Sequence, residues 1–167
     1  MVARDIRRTP AEGGEYYAST PSQTATRIQL TIAAEGVRAR DAGESEEEFV
    51  YWFLDVSQAF PHAEASEQLF VRFPKDMNGC EFKLSGEVIV IDSSAPYECK
   101  RALYGFRKSP SDWQEHFAKL NITRCGAKRL KVEPSMYTIV DERVVIVVHV
   151  DDIAVCGPRG AVAKYFD

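Results

Sequence analysis

The stretch Val144-Val145-Ile146-Val147-Val148-His149-Val150-Asp151-Asp152-Ile153-Ala154-Val155 constrains this chain more than any other. Two apolar, largely β-branched runs flank two adjacent aspartates. Runs of this kind read as buried strands, and the pair between them reads as the join of a hairpin. Aspartate is an ordinary turn residue, so a plain turn is one reading of the pair. The apolar flanks favour another. Two carboxylates held against an apolar sheet repel each other and lose hydration, at a cost of roughly several kcal/mol unless cations neutralise them. Mg²⁺ is a hard cation that takes carboxylate oxygens.

A second strand, Phe49 to Val56 (FVYWFLDV), reads as buried and carries Asp55 near its end. A lone acid at a strand end usually means nothing. A sheet that set Asp55 beside Asp151 would gather three carboxylates from two strands. Such a set holds two metal ions ~3.5–4 Å apart, the layout for in-line displacement at phosphorus.

The rest of the chain supplies elements for such a sheet. Thr20-Pro21-Ser22-Gln23 predicts a helix start with Thr as cap and Pro at the first helical position. Ala25, Ile28, Ile32 and Ala33 form its apolar face, and Gly36 is expected to end it. Strands are expected over Gln68 to Phe73, and over Glu81 to Leu84 and Glu87 to Ile91 around a Ser85-Gly86 turn. Ser109-Pro110-Ser111-Asp112 predicts a second helix with Trp113, Phe117 and Leu120 on one face. Met136 to Val140, Val144 to Val150 and Ile153 to Cys156 read as three more strands, and Arg159 to Asp167 as the start of a helix. Residues 1–18 read as an irregular lead-in. Elements mixed without strict alternation predict an α+β fold with a largely antiparallel sheet.

The length of 167 residues suits one domain, and 45% apolar residues are enough for a core. No apolar run reaches the ~18–20 residues of a membrane helix, and the first residues have no signal-peptide core; an intracellular, non-secreted protein is expected. The four cysteines, 80, 99, 125 and 156, lack zinc-site spacing and read as free, mostly buried thiols. The net charge is −4, but residues 41–48 (DAGESEEE) hold five acids and no base, so without them the balance becomes +1. Bases cluster at Lys100, Arg101, Arg107 and Lys108, and again at Lys119, Arg124, Lys128, Arg129 and Lys131. Such clusters are either solvated surface or a nucleic-acid footprint.

Here the motifs become specific. Asp55-Val56-Ser57-Gln58-Ala59-Phe60 resembles the first polymerase motif, D-V-x-x-A-F, of reverse transcriptases of copia-type LTR retrotransposons. Leu69-Phe70-Val71-Arg72-Phe73-Pro74 is similar to the strand that follows it. The stretch from Cys99 to Pro110, with Trp113, resembles the family's C-K-L-x-x-S-L-Y-G-L-x-Q-A-P-x-x-W segment, in shorter form. Pro134-Ser135-Met136-Tyr137 resembles D-P-C-L-Y, and Val148-His149-Val150-Asp151-Asp152 resembles Y-V-D-D. Val2-Ala3-Arg4 and Thr24-Ala25-Thr26-Arg27 are similar to its finger region. The matches run in family order along nearly the whole chain.

The resemblance implies a polymerase palm-type antiparallel sheet with packed helices and partial fingers, truncated before the thumb. Residues 1–48 would be partial fingers with an acidic insertion at 41–48. Residues 49–74 and 132–167 would be palm, and 75–131 fingers and palm. It implies an RNA-directed DNA polymerase that adds dNTPs to a primer 3′-hydroxyl on an RNA or DNA template. Asp55, Asp151 and Asp152 would hold two Mg²⁺ ions, or Mn²⁺ in their place, with the Val56 carbonyl as a backbone ligand. Phe60 would be the aromatic gate that selects deoxyribose; on the residues alone it reads as a core Phe after a strand. Tyr104 and Gly105 would lie near nucleotide and template, and Arg107 and Lys108 would meet the nucleic-acid backbone. Trp113 is read as a packing residue of its helix rather than a base-stacking one. By family, a cytoplasmic virus-like particle with nuclear access is the expected location, and thumb and ribonuclease H regions are expected partners.

Three positions depart from the pattern. His149 replaces the usual Tyr, which bears on primer placement and reads alternatively as a partly buried His. Pro61 stands where the family has Leu. The acidic run would disfavour nucleic acid if it faced the channel. These departures and the ends of the match keep a second reading open: a non-catalytic relic, or a host-adopted interaction module that retains the fold.

Overall fold

The computed structural model describes residues 18–166. The finger-region residues Val2-Ala3-Arg4, nearly all of the expected lead-in and Asp167 lie outside the described residues. In chain order the elements are α1 (Gln23–Asp41), β1 (Phe49–Asp55), α2 (Ala59–His62), β2 (Glu64–Val71), a 3-10 turn (Lys75–Met77), β3 (Glu81–Leu84), β4 (Glu87–Val90), β5 (Tyr97–Arg101), α3 (Ser109–Cys125), β6 (Lys128–Arg129), β7 (Met136–Ile139), β8 (Val144–His149), β9 (Asp152–Pro158) and α4 (Arg159–Phe166).

Five strands form one antiparallel sheet in the order β1-β9-β8-β7-β6, and β2-β5 and β3-β4 form two further antiparallel pairs. This is the expected mixture of helices with antiparallel sheet. The valine-rich β8 is buried on both sides, because each of its faces meets helices. Val144, Ile146 and Val148 pack with Trp113 and Phe117 of α3 and Val162 of α4. Val145 and Val147 pack with Ala25 and Ala33 of α1. Alternate residues of one strand thus feed two cores.

Several elements differ from expectation for identifiable reasons. The cap of α1 is Ser22, not Thr20: its Oγ accepts from the Ala25 amide at 3.1 Å, and Pro21 precedes the helix. The helix runs past Gly36 to Asp41, and that glycine packs against the Phe49 ring instead of ending the helix. Its buried stripe is Ala25, Gln29 and Ala33, and Ile28 is exposed. β1 is not buried on both sides. It is an edge strand, and its Phe53 is 76% exposed. β2 starts earlier than expected, at Glu64, where Ala102 donates to the Ala63 carbonyl at 3.0 Å. Of the four cysteines, Cys156 alone is buried and Cys80 is exposed. No described helix is long and apolar enough to cross a membrane.

The acidic run is exposed but engaged. Asp41 closes α1, Glu44 accepts from Arg38 at 3.0 Å, and Glu47 pairs with Arg143. Glu48 accepts from Arg159 through both oxygens at 2.5 and 2.6 Å, and the guanidinium holds the Glu48 carboxyl below its ordinary range. This cluster sits at the Phe49 end of β1, a strand of seven residues. At ~3.4 Å per residue it is roughly 20 Å from Asp55.

Candidate active site

β8 and β9 are joined by two residues, Val150 and Asp151, so Asp151 lies in the turn and Asp152 begins β9. Register fixes what stands beside them. Asp152 is opposite His149 on β8 and opposite Asp55 on β1. Side chains of directly paired residues share a face. His149, Asp152 and Asp55 therefore form one row across three adjacent strands, on the face that carries α1 further along. The Val56 amide donates to the Asp151 carbonyl at 2.9 Å. Hydrogen-bonded pairs alternate with non-bonded ones in an antiparallel ladder, so Asp55 and Asp152 form a non-bonded pair, the closer kind, with Cα atoms ~4.5 Å apart. The sheet thus sets the backbones of all three expected aspartates side by side, at the border of a strand and a turn.

Asp55 and Asp152 are exposed and Asp151 is half-buried, so these acids stay hydrated instead of being pressed into the sheet. His149 is exposed as well, which corrects the partly buried alternative. α1 covers the neighbouring part of this face through Gln29. Its amide donates to the Val145 and Ala154 carbonyls at 3.0 and 2.8 Å and accepts from the Tyr51 hydroxyl at 3.0 Å. Phe53, next along the Asp55 face of β1, stays open to solvent.

The turn is strained. Val150 has φ +57°, in the left-handed region that β-branched residues avoid. Such a conformation costs on the order of 1–3 kcal/mol and persists where surroundings enforce it. Against this turn lies the Trp113 indole, whose Nε1–H donates to the Val150 carbonyl at 2.6 Å. Trp113 is 4% exposed, in agreement with its reading as a packing residue, but this hydrogen bond gives it a further part. No local sequence signal announces a bond between α3 and a turn 37 residues away.

The remaining expected site residues lie on the elements after β1. Gln58, at φ +54°, turns the chain into α2 and sends Phe60 inward. Phe60 is 8% exposed and belongs to the core beneath the sheet. Its ring lies 4.5 Å from that of Tyr104, which is 40% exposed and forms the outer layer of the pair. Gly105 at φ +100° makes the bend that follows. The buried Ser109 ties that loop down: its Oγ accepts from the Leu103 amide at 3.1 Å and donates to the Leu103 carbonyl at 2.7 Å. Arg107 is exposed and Lys108 half-buried at the foot of α3. Within the basic clusters, Arg129 is engaged internally, with Glu115 and with the Pro134 carbonyl, both at 2.7 Å.

Oxygen donors of this kind suit Mg²⁺ or Mn²⁺. The backbones of Asp55, Asp151 and Asp152 are adjacent, but among the described residues no three His, Cys, Asp or Glu side chains converge on a common point that could hold an ion. The donors fit in kind and in backbone position; convergence requires the exposed side chains to rotate.

A family model for the reverse transcriptase (RNA-dependent DNA polymerase) domain matches residues 26–166, a span that includes the whole row and the Trp113 contact. No solved structure matches the chain.

Proposed function

The chain belongs to the reverse transcriptase (RNA-dependent DNA polymerase) family, and from that premise we propose that it is the carboxylate-bearing part of a copia-type retrotransposon enzyme that joins dNTPs to a primer 3′-hydroxyl on an RNA or DNA template. The observation that carries this reading is the pairing of Asp55 with Asp152, beside Asp151. Like charges directly opposite destabilise a sheet, so the arrangement costs stability that a cation-binding role accounts for. In this reading β1, β2, β7, β8 and β9 would be palm strands, and the segment from the 3-10 turn through β6 would join fingers to palm.

Asp55, Asp151 and Asp152 would hold two Mg²⁺ ions, with the Val56 carbonyl as a backbone ligand. A bound pair of divalent ions supplies neutralisation of the triphosphate and a more acidic primer hydroxyl. The protein's own residues do the rest. The row concentrates negative charge at one solvent-open place on a rigid sheet. His149 borders it where the primer end would lie. Phe60 and Tyr104 act as a packed pair of tilted rings against the incoming sugar, with the buried Phe60 supporting the exposed ring from beneath. Arg107 and Lys108 supply charge for phosphates, the sequence-independent share of affinity.

The test is primer extension on an RNA template with Mg²⁺ and dNTPs, comparing this chain with Asp151→Asn. Extension that disappears in the variant supports the proposal. A folded chain that extends no primer overturns it in favour of a non-catalytic module that retains the fold.

A further inference from the structure

We infer that Trp113 is a positioning residue for the aspartate turn: its indole N–H latches the Val150 carbonyl and so sets where Asp151 and Asp152 stand relative to Asp55. A two-residue hairpin turn that needs positive φ normally takes Gly, Asn or Asp there. This chain has Val150 at φ +57° instead. Left to itself, such a turn relaxes. Here two consecutive carbonyls are tied to separate elements. That of Val150 accepts from Trp113 on α3 at 2.6 Å, and that of Asp151 accepts from Val56 at the end of β1 at 2.9 Å.

The donor itself is held firmly. Trp113 stacks on His116 with ring centres 5.9 Å apart, and also meets Phe117 at 5.6 Å and His62 at 6.2 Å. Its indole plane is therefore fixed from both α3 and α2. The next two residues after the latched carbonyl are the two aspartates, so a shift of the Val150 peptide is transmitted directly to their Cα positions. A partner behind a metal-ligating group, without touching the metal, is the kind of contact whose loss weakens metal binding. The functional half of this inference rests on the polymerase reading.

Three variants separate a latch from simple packing. Trp113→Phe keeps a buried aromatic ring and removes the donor. Val150→Gly removes the strain that the latch restrains. The third carries both changes. Two readouts are taken on the same samples: amide hydrogen exchange at residues 150–152, and Mn²⁺ affinity by electron paramagnetic resonance. The expected result is faster exchange at 150–152 in Trp113→Phe, with Mn²⁺ affinity reduced roughly 10–100-fold, and both restored toward wild type in the double variant. Packing loss alone would not be rescued by a glycine in the turn. Unchanged exchange and affinity in Trp113→Phe would overturn the inference, as would failure of the double variant to recover. Should wild type itself bind no Mn²⁺, the polymerase reading fails, and the exchange data alone then decide for or against the latch.

Discussion

Gly36 and Phe49 interlock: a Cβ built on Gly36 would lie 2.2 Å from Cγ of the Phe49 ring. Alanine in a helix interior normally gains ~1 kcal/mol over glycine. Here it overpacks against a ring, which costs about 1–3 kcal/mol. Gly36→Ala is therefore expected to lower stability in urea unfolding, and Gly36→Ala with Phe49→Leu to recover part of the loss. A more stable single variant would show that the ring moves aside freely.

The Asp55–Asp152 pair is expected to trade stability for function. Asp152→Asn should raise unfolding stability by about 0.2–1 kcal/mol in metal-free buffer of low salt, and the gain should shrink as salt screens the repulsion. Added Mg²⁺ should raise the melting temperature of wild type more than that of the variant. Equal responses to Mg²⁺ would count against a metal site at this pair.

Gln29 is fully buried and bridges α1 to β8, β9 and Tyr51. Gln29→Met nearly preserves volume but takes a hydrogen-bond partner from two carbonyls and a hydroxyl. A loss of about 1–3 kcal/mol is expected, read as a lower denaturation midpoint with unchanged slope.

Glu48 should make a small contribution to stability that disappears in acid. Arg159 holds its carboxyl below the ordinary value of 4.5. A carboxyl depressed in the folded state stabilises fully above its unfolded pKa, and this contribution is lost as pH falls through the folded one. The melting-temperature gap between wild type and Glu48→Gln should be present at pH 7 and close below the ordinary carboxylate range. A gap that stays constant down to strongly acidic pH would remove the ion pair as its cause.

Much of this was legible in the residues themselves. The β8–β9 hairpin follows from two apolar runs around a polar join, and the turn at Ser85-Gly86 from its composition. The burial of β1 was not, because an aromatic run reads alike at the edge and the centre of a sheet, and Phe53 gives no sign that α1 stops short of it. Gly36 misled because a packing glycine and a helix-ending glycine are the same letter. β5 was missed because Tyr97–Arg101 offers only two residues, Tyr97 and Cys99, to an inner face, and its strand character comes from pairing with β2. Gln29 was readable in part: it stands four residues from both Ala25 and Ala33, in the middle of the buried stripe. The three aspartates were identified by motif, but their register, and the place of His149 beside them, required the sheet.

β1 has a further consequence as the border strand of that sheet. It pairs with β9, whose residues lie about a hundred positions later in the chain. As the chain is synthesised, Phe49 to Leu54 (FVYWFL) therefore waits without its neighbour until β9 emerges. A six-residue window of high β propensity with no charge and no proline is a template for aggregation. Its immediate flanks are Glu46-Glu47-Glu48 on one side and Asp55 on the other, the placement of gatekeeper charges around an unavoidable sticky strand. On this view the carboxylate proposed for metal binding also keeps the unpaired strand soluble before any metal is bound.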